Sequence, residues 1–350
     1  MKHSLFLFLA MTLLLLGCFD GKQAVPNWTI PSFSGSEFEI IESDSTNYLL
    51  AVAIKPEFVN YEGAAIRNQD KFLEISAQRV SVRIIMRGIA ESDSAFIEKG
   101  VKAIEYGFAH QNEDGSFQYD SSVIELGAIE ADLLEAGSFF MQAVARSYLL
   151  ISDSDFSEEF LPRLDLLKPK MRLTIEWLKN NKTMLYEKAK NAPNRLLFDA
   201  LAFKLSGIIL EEESYASIAC EFLNENLKRQ REDGVFLEEG GYDSSYQAVN
   251  ILKLQHYYLY SEDAAEKEII LSAVDKAVEW EKTRIKSTGE VDDTGNARTG
   301  SQCLEKIAGR CKEINYTDVA MSFSYYSVIR NDVESSILVK KIVDYAVANS

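Results

Sequence analysis

Apolar residues spaced three and four apart begin near Gly63 and recur, with interruptions, to the C-terminus. That spacing lays an apolar stripe along one side of a helix. It divides the chain into ten expected helices, at roughly 66–90, 94–111, 125–151, 158–181, 194–210, 213–230, 243–261, 264–286, 315–330 and 332–348. A recurring unit sharpens the division: an apolar residue, then Glu, then an aromatic. It occurs at Ile104-Glu105-Tyr106, Ile175-Glu176-Trp177 and Val278-Glu279-Trp280, and as Cys220-Glu221-Phe222. Asp114-Gly115, Asp233-Gly234 and Gly289 follow three of these, whereas Asn180-Asn181 and Pro193 occupy the equivalent region of the other. Repeats of this length mark stacked helix pairs.

Two of the turns match closely. Gln111 to Phe117 and Gln230 to Phe236 both read Gln-x-x-Asp-Gly-x-Phe. Glycine permits a positive φ past a helix end, Asp can bond nearby backbone, and the aromatic can pack back on the hairpin. The motif resembles the Gln-Trp repeat of terpenoid cyclases, with Phe in place of Trp. The resemblance implies a fold and leaves the reaction open.

The expected helices are of two kinds. Ser138 to Ala143, Leu196 to Leu201 and Val319 to Tyr326 carry small and aromatic residues on several faces, whereas Ala273 to Lys282 has a charged face. Helices apolar all round are buried, and helices with one stripe lie outside. An inner and an outer ring follow: an all-α chain forming an α/α toroid of about five helical hairpins over residues 63–350. The competing right-handed superhelix of the tetratricopeptide type has a shorter period. Residues 18–62 are expected to be a tether and an irregular segment, in which Phe38–Ile41 and Tyr48–Ile54 form short strands or extended packing segments.

The first 17 residues read as an export signal: Lys2, an apolar run from Leu5 to Leu16 broken by Thr12, then Gly17 before Cys18. Leu15-Leu16-Gly17-Cys18 resembles the lipobox of bacterial lipoproteins. The resemblance implies cleavage before Cys18, diacylglycerol on its thiol and acylation of the new amine, so that membrane attachment is through lipid. Phe19 stands where some inner-membrane lipoproteins carry Asp, which leans towards the outer membrane of the cell envelope.

Formal charge is −17, with 37 Lys and Arg against 54 Asp and Glu. Nucleic-acid binding needs a phosphate-neutralising basic face and is disfavoured. A polyanionic ligand remains compatible, because the local field in a cleft can oppose net charge. Three His and four Cys form no metal-ligand constellation, and no cofactor is expected. Cys220 sits in an apolar stripe and reads as a small core residue. Cys303 and Cys311 lie close together in a polar segment and, after export, can pair.

If inner and outer helices alternate, the loops near 112–124, 182–193, 231–242 and 287–314 share a rim at which inner helices begin, with partial positive charge and free N–H groups. Candidate residues gather there. Asn194 and Arg195 open a helix, and an Arg fork can hold a carboxylate. In the run from Gly240 to Gln247, Asp243 can cap a helix or bind substrate, while Tyr242 and Tyr246, one helical turn apart, can share a face. Asn296 and Arg298 lie in the longest loop. The carboxylates Asp114, Glu130, Asp132, Asp233, Glu238 and Glu239 also fall near this rim, with turn and cap roles favoured for Asp114 and Asp233.

The layout is similar to α/α-toroid lyases of uronate polysaccharides, in which an Asn/Arg or Asn/His group neutralises the uronate and a Tyr handles the proton. By that resemblance Asn194 and Arg195 would be neutralisers, Tyr246 or Tyr242 the acid/base, and Asp243, Asn296 and Arg298 substrate contacts. His256 lies about four turns into its helix, so the catalytic His of some such enzymes has no counterpart at the rim. A hydrolase using paired carboxylates and a non-catalytic lipoprotein binding glycan or protein are the alternatives. Terpene cyclisation is disfavoured, because no Asp-x-Asp-Asp or Asp-Asp-x-x-Asp run occurs.

Overall fold

A computed structural model describes residues 35–125, 129–301, 303–304 and 310–349. The export signal and Cys18 lie outside the described residues. The chain is all-α: among the described residues the only extended pairings are isolated bridges.

In chain order the helices are α1 (Glu37–Ser43), α2 (Ser45–Ile54), α3 (Ser81–Glu91), α4 (Ser94–Ala109), α5 (Ser121–Glu125), α6 (Glu130–Ser152), α7 (Ser157–Asp165), α8 (Lys168–Asn180), α9 (Lys182–Ala189), α10 (Pro193–Leu210), α11 (Ser214–Leu227), α12 (Ser244–Leu259), α13 (Ala264–Lys282), α14 (Tyr316–Arg330) and α15 (Val333–Ala348). Consecutive pairs pack together: α3 with α4, α10 with α11, α12 with α13, and α14 with α15. The first member of each pair also packs on the next. Neighbours run α3, α6, α10, α12, α14, and then α2, which returns to α3. The cycle of inner neighbours is therefore closed, and α2 closes it.

Burial follows this division. Helix α12 is buried from Ser244 to Leu259 on nearly every face, and α14 resembles it. Helices α13 and α15 bury one stripe each, as outer helices do.

The N-terminal segment departs from the expected strands. Glu37, Ile40 and Ile41 are buried in α1, and Tyr48, Ala51 and Val52 in α2. Both sets are spaced i, i+3, i+4, a helical period that the continuous apolar run around them obscures. Other boundaries moved as well. The first expected helix is interrupted: short 3₁₀ turns at Ile66–Asn68 and Ile75–Val80 precede α3. The fourth is split near Leu166, and Pro169 opens α8, where its missing N–H costs nothing. Helix α9 lies where a loop was expected.

The matched turns clamp neighbouring hairpins. Gln111 Nε2 donates to Lys170 O and Thr174 Oγ1, both at 2.7 Å, and Gln230 Nε2 donates to Ala273 O at 2.7 Å. Each glutamine thus reaches from the end of one outer helix to the next outer helix. Gly115 and Gly234 both have φ +89, and a Cβ on either would lie 2.2 Å from a carbonyl oxygen of that next helix, Leu173 or Lys276. Phe117 and Phe236 are buried as expected. The bridge pairs Gln111–Phe117 and Gln230–Phe236 recur as Ile285–Val291 and, unanticipated from sequence, as Val59–Ala65. Between α8 and α10 no such turn forms; α9 stands there, with Lys182 paired to Glu221 and Tyr186 donating to Glu225 on α11.

Candidate functional site

Two levels of contact fix the direction of the inner helices. The first three turns meet at one end. Arg195 of α10 pairs with Glu135 of α6 at 2.9 Å, Ser138 of α6 donates to Asp199 of α10, and Arg83 of α3 pairs with Asp318 of α14. Asn315 N, just before α14, donates to Ser245 Oγ of α12 at 2.9 Å. Later turns meet at the other end, around Glu37 of α1. Its carboxylate receives Arg146 of α6, Tyr325 Oη of α14 at 2.7 Å and Tyr260 Oη, just past α12, at 3.0 Å. The inner helices therefore run in one direction. Their N-termini gather at one end of the ring, with their unpaired N–H groups and partial positive charge, and α1 occupies the other.

The residues expected at the N-terminal end divide by what they touch. Asp243 caps α12 and is buried. Its carboxylate accepts from Tyr246 N at 3.1 Å, Arg298 N at 2.9 Å, Thr299 N at 2.8 Å and Thr299 Oγ1 at 2.8 Å. Asn296, fully buried, accepts from Ser244 N at 3.1 Å and donates to Thr299 Oγ1 at 3.1 Å. Together these two tie the long loop onto the start of α12. Arg298 is buried too; its Nη1 donates to Glu238 Oε1 at 2.8 Å and its guanidinium lies 5.3 Å from the Tyr246 ring centre. Burial pushes Glu238 up to about 7 against the opposing effect of Arg298.

Tyr242 and Tyr246 do not share a face, because the helix starts only at Ser244. Tyr242 packs edge-on to Trp280 of the outer helix α13 and donates to Thr294 O at 2.8 Å. Tyr246 lies between two cations: Lys312 Nζ donates to its Oη at 2.6 Å, and Arg298 lies over the ring. Burial pushes the Tyr246 phenol up to about 12, with Arg298 opposing. Asn194 is buried at the start of α10, and Arg195 keeps partial exposure beside Glu135. Asp114 and Asp233 take turn roles, accepting from Ser116 N at 3.0 Å and Val235 N at 3.3 Å. Asp132 bonds Ile129 N at the start of α6 and pairs with Lys188 of α9.

A disulfide joins Cys303 and Cys311. Beside it, Lys312 N donates to Arg298 O at 3.1 Å and Gly300 N to Lys312 O at 2.8 Å, which places Lys312 against Tyr246. Cys220 is buried on α11.

Further residues at this end escaped the sequence reading. Phe139 of α6 and Phe198 of α10 pack with ring centres 4.3 Å apart and keep partial exposure. Arg79 lies 5.3 Å from the Phe139 ring centre, and Lys253 Nζ 4.5 Å from that of Phe198. Arg79 is exposed, and burial of its charged group together with the nearby Arg83 lowers its pKa. The signal was present: Glu135, Ser138, Gln142 and Arg146 form a polar line, spaced three and four apart, along an otherwise apolar helix.

The arrangement is a cation-rich, aromatic-floored end of an acidic protein. Arg79, Arg83, Arg195 and Lys312 supply charge, and Phe139, Phe198 and Tyr246 supply flat apolar surface. Among the described residues, no group of His, Cys, Asp and Glu could hold a metal ion, and no helix is long and apolar enough to cross a membrane. No protein-family model, curated protein or solved structure matches the chain.

Proposed function

We propose that the N-terminal end of the ring is the mouth of a toroid that binds an acidic glycan, and that the protein works in the bacterial cell envelope, held by lipid on Cys18. The observation that carries the binding reading is the set of cations and aromatic rings gathered between and ahead of helices whose N-termini converge, in a chain whose formal charge is −17. Aromatic faces suit the C–H faces of sugar rings, and guanidinium forks suit carboxylates. The lipid anchor rests on the Leu15–Cys18 sequence alone.

A uronate lyase acting by β-elimination is the second reading, and Tyr246 favours it. At neutral pH its phenol holds its proton beside Lys312 and Arg298, as the acid that protonates a leaving oxygen must. Arg195 is the partly exposed neutraliser in that scheme. Asn194, Asp243, Asn296 and Arg298 act from beneath, holding the groups that face the mouth.

The test incubates the purified protein with uronate polysaccharides and follows both binding and absorbance from unsaturated uronate. Binding weakened in Arg195→Ala supports the glycan-binding reading. New absorbance that disappears in Tyr246→Phe adds the lyase, and reducing ends released without absorbance point to a hydrolase. Absence of binding to every acidic glycan overturns the proposal.

A further inference from the structure

Among the described residues, Arg79 and Lys253 have no carboxylate oxygen within 4.0 Å; Arg79 lies over the Phe139 ring and Lys253 over the Phe198 ring of the Phe139–Phe198 pair. Lys253 is 7% exposed and donates only a long bond, 3.4 Å, to Gln142 Oε1. A lysine so buried normally has an acidic partner. The acids of the elements around it are engaged elsewhere: Glu37 of α1 with Arg146 of α6, and Asp318 of α14 with Arg83 of α3. His256, on the same helix, is buried and held neutral. Burial, with Arg146 and Arg83, holds the Lys253 amine well below its ordinary range, against Asp318 and Glu37. The free protein thus keeps a buried amine without a counter-charge, beside an apolar platform that retains exposure.

We infer that the Phe139–Phe198 pair, with Arg79 over one ring and Lys253 over the other, is a subsite for one uronate unit, whose ring packs on the part of the pair left exposed and whose carboxylate becomes the missing partner of Lys253. This deepens the acidic-glycan reading and rests on it. Binding then has a proton balance. The bound carboxylate favours the ammonium form of Lys253, so binding draws protons from solvent to the extent that the free amine lacks them; no covalent bond forms or breaks. Affinity falls as pH rises through the interval between the free and bound pKa values of the amine, by up to about tenfold per pH unit.

The experiment is calorimetric titration of the protein with tetragalacturonate, oligoalginate and a neutral tetrasaccharide, in buffers of different ionisation enthalpy at pH 7. The expected result is net proton uptake on binding an acidic oligosaccharide. Lys253→Met should lose that uptake and bind about tenfold or more weakly, and Arg79→Ala should weaken binding while keeping the uptake. Lys253→Met removes an uncompensated buried amine and should fold at least as well as the parent. Acidic oligosaccharide binding without proton uptake, unchanged in Lys253→Met, overturns the subsite and leaves the glycan-binding mouth standing. No binding by either acidic oligosaccharide overturns both.

Discussion

Arg146 and Glu37 stand 109 residues apart in the chain and meet in the interior, where Arg146 Nε donates to Glu37 Oε2 at 3.1 Å and Nη2 bonds the other oxygen. Both side chains are out of contact with water, at 3% and 0% exposure. The pair fastens α1 across the end of the ring opposite the mouth. Burial works to raise the Glu37 pKa, but the charge and bonds of Arg146, aided by Tyr325 and Tyr260, leave it lowered. Removing one partner strands the other charge. Glu37→Ala should therefore cost about 3–5 kcal/mol in chemical denaturation, and Glu37→Met with Arg146→Met far less. Because the folded pKa lies below the unfolded one, the contribution is present above the unfolded value and fades as pH falls through the folded one. A single variant as stable as the parent would refute this account.

Gly115 and Gly234 predict a second effect. Their positive φ strains any L side chain, and a Cβ would meet the backbone of the next outer helix. Gly115→Ala and Gly234→Ala should each lose more than the roughly 1 kcal/mol that positive φ alone costs. Gly240, whose φ is +86 with nothing within 4 Å, isolates the φ effect. Thermal melts of all three variants separate the contributions; equal losses would mean that the close approach is unimportant.

These positions also mark how much the sequence disclosed. The matched turns were legible because one backbone conformation demands Gly and its neighbours follow locally. Inner and outer helices were legible because burial on every face leaves no polar stripe in α12 and α14. Helix α1 was not, since Glu37 becomes a core residue only through Arg146, a partner no local window contains. Tyr242 was misplaced because it precedes the first residue of α12 by two positions, off the helix, and its ring packs on Trp280. The site was half legible: rim loops named Arg195, Tyr246 and Arg298, whereas Phe139, Phe198 and Lys253 look like ordinary packing until the helices are set side by side.

Asp243 separates support from contact. It accepts from three backbone N–H groups and one hydroxyl, which hold Arg298 and Thr299 against α12. Hydrogen bonds to a charged acceptor contribute about 1.5–3 kcal/mol each, so Asp243→Ala should lose at least about 3 kcal/mol of stability. The same loss should appear with and without glycan. If stability is unchanged while glycan affinity falls, Asp243 acts as a direct ligand contact instead.

Asp199 supplies the pH prediction. Burial pushes its carboxyl up to about 8; the Ser138 hydroxyl opposes the shift and Glu135 adds to it. With the folded pKa above the unfolded one, the folded state binds more protons between the two values. Stability is then full at low pH and declines as pH rises, by at most about 1.4 kcal/mol per unit, until the folded value is passed. Asp199→Asn keeps the bond to Ser138 within reach and cannot ionise. Urea midpoints measured from pH 5 to 9 should fall with pH in the parent more steeply than in Asp199→Asn. The carboxyl lies beside the Arg195–Glu135 pair, so the same titration should alter the charge of the mouth at mildly alkaline pH. Parallel curves for the two proteins would show that Asp199 is ionised throughout and that its surroundings solvate the charge.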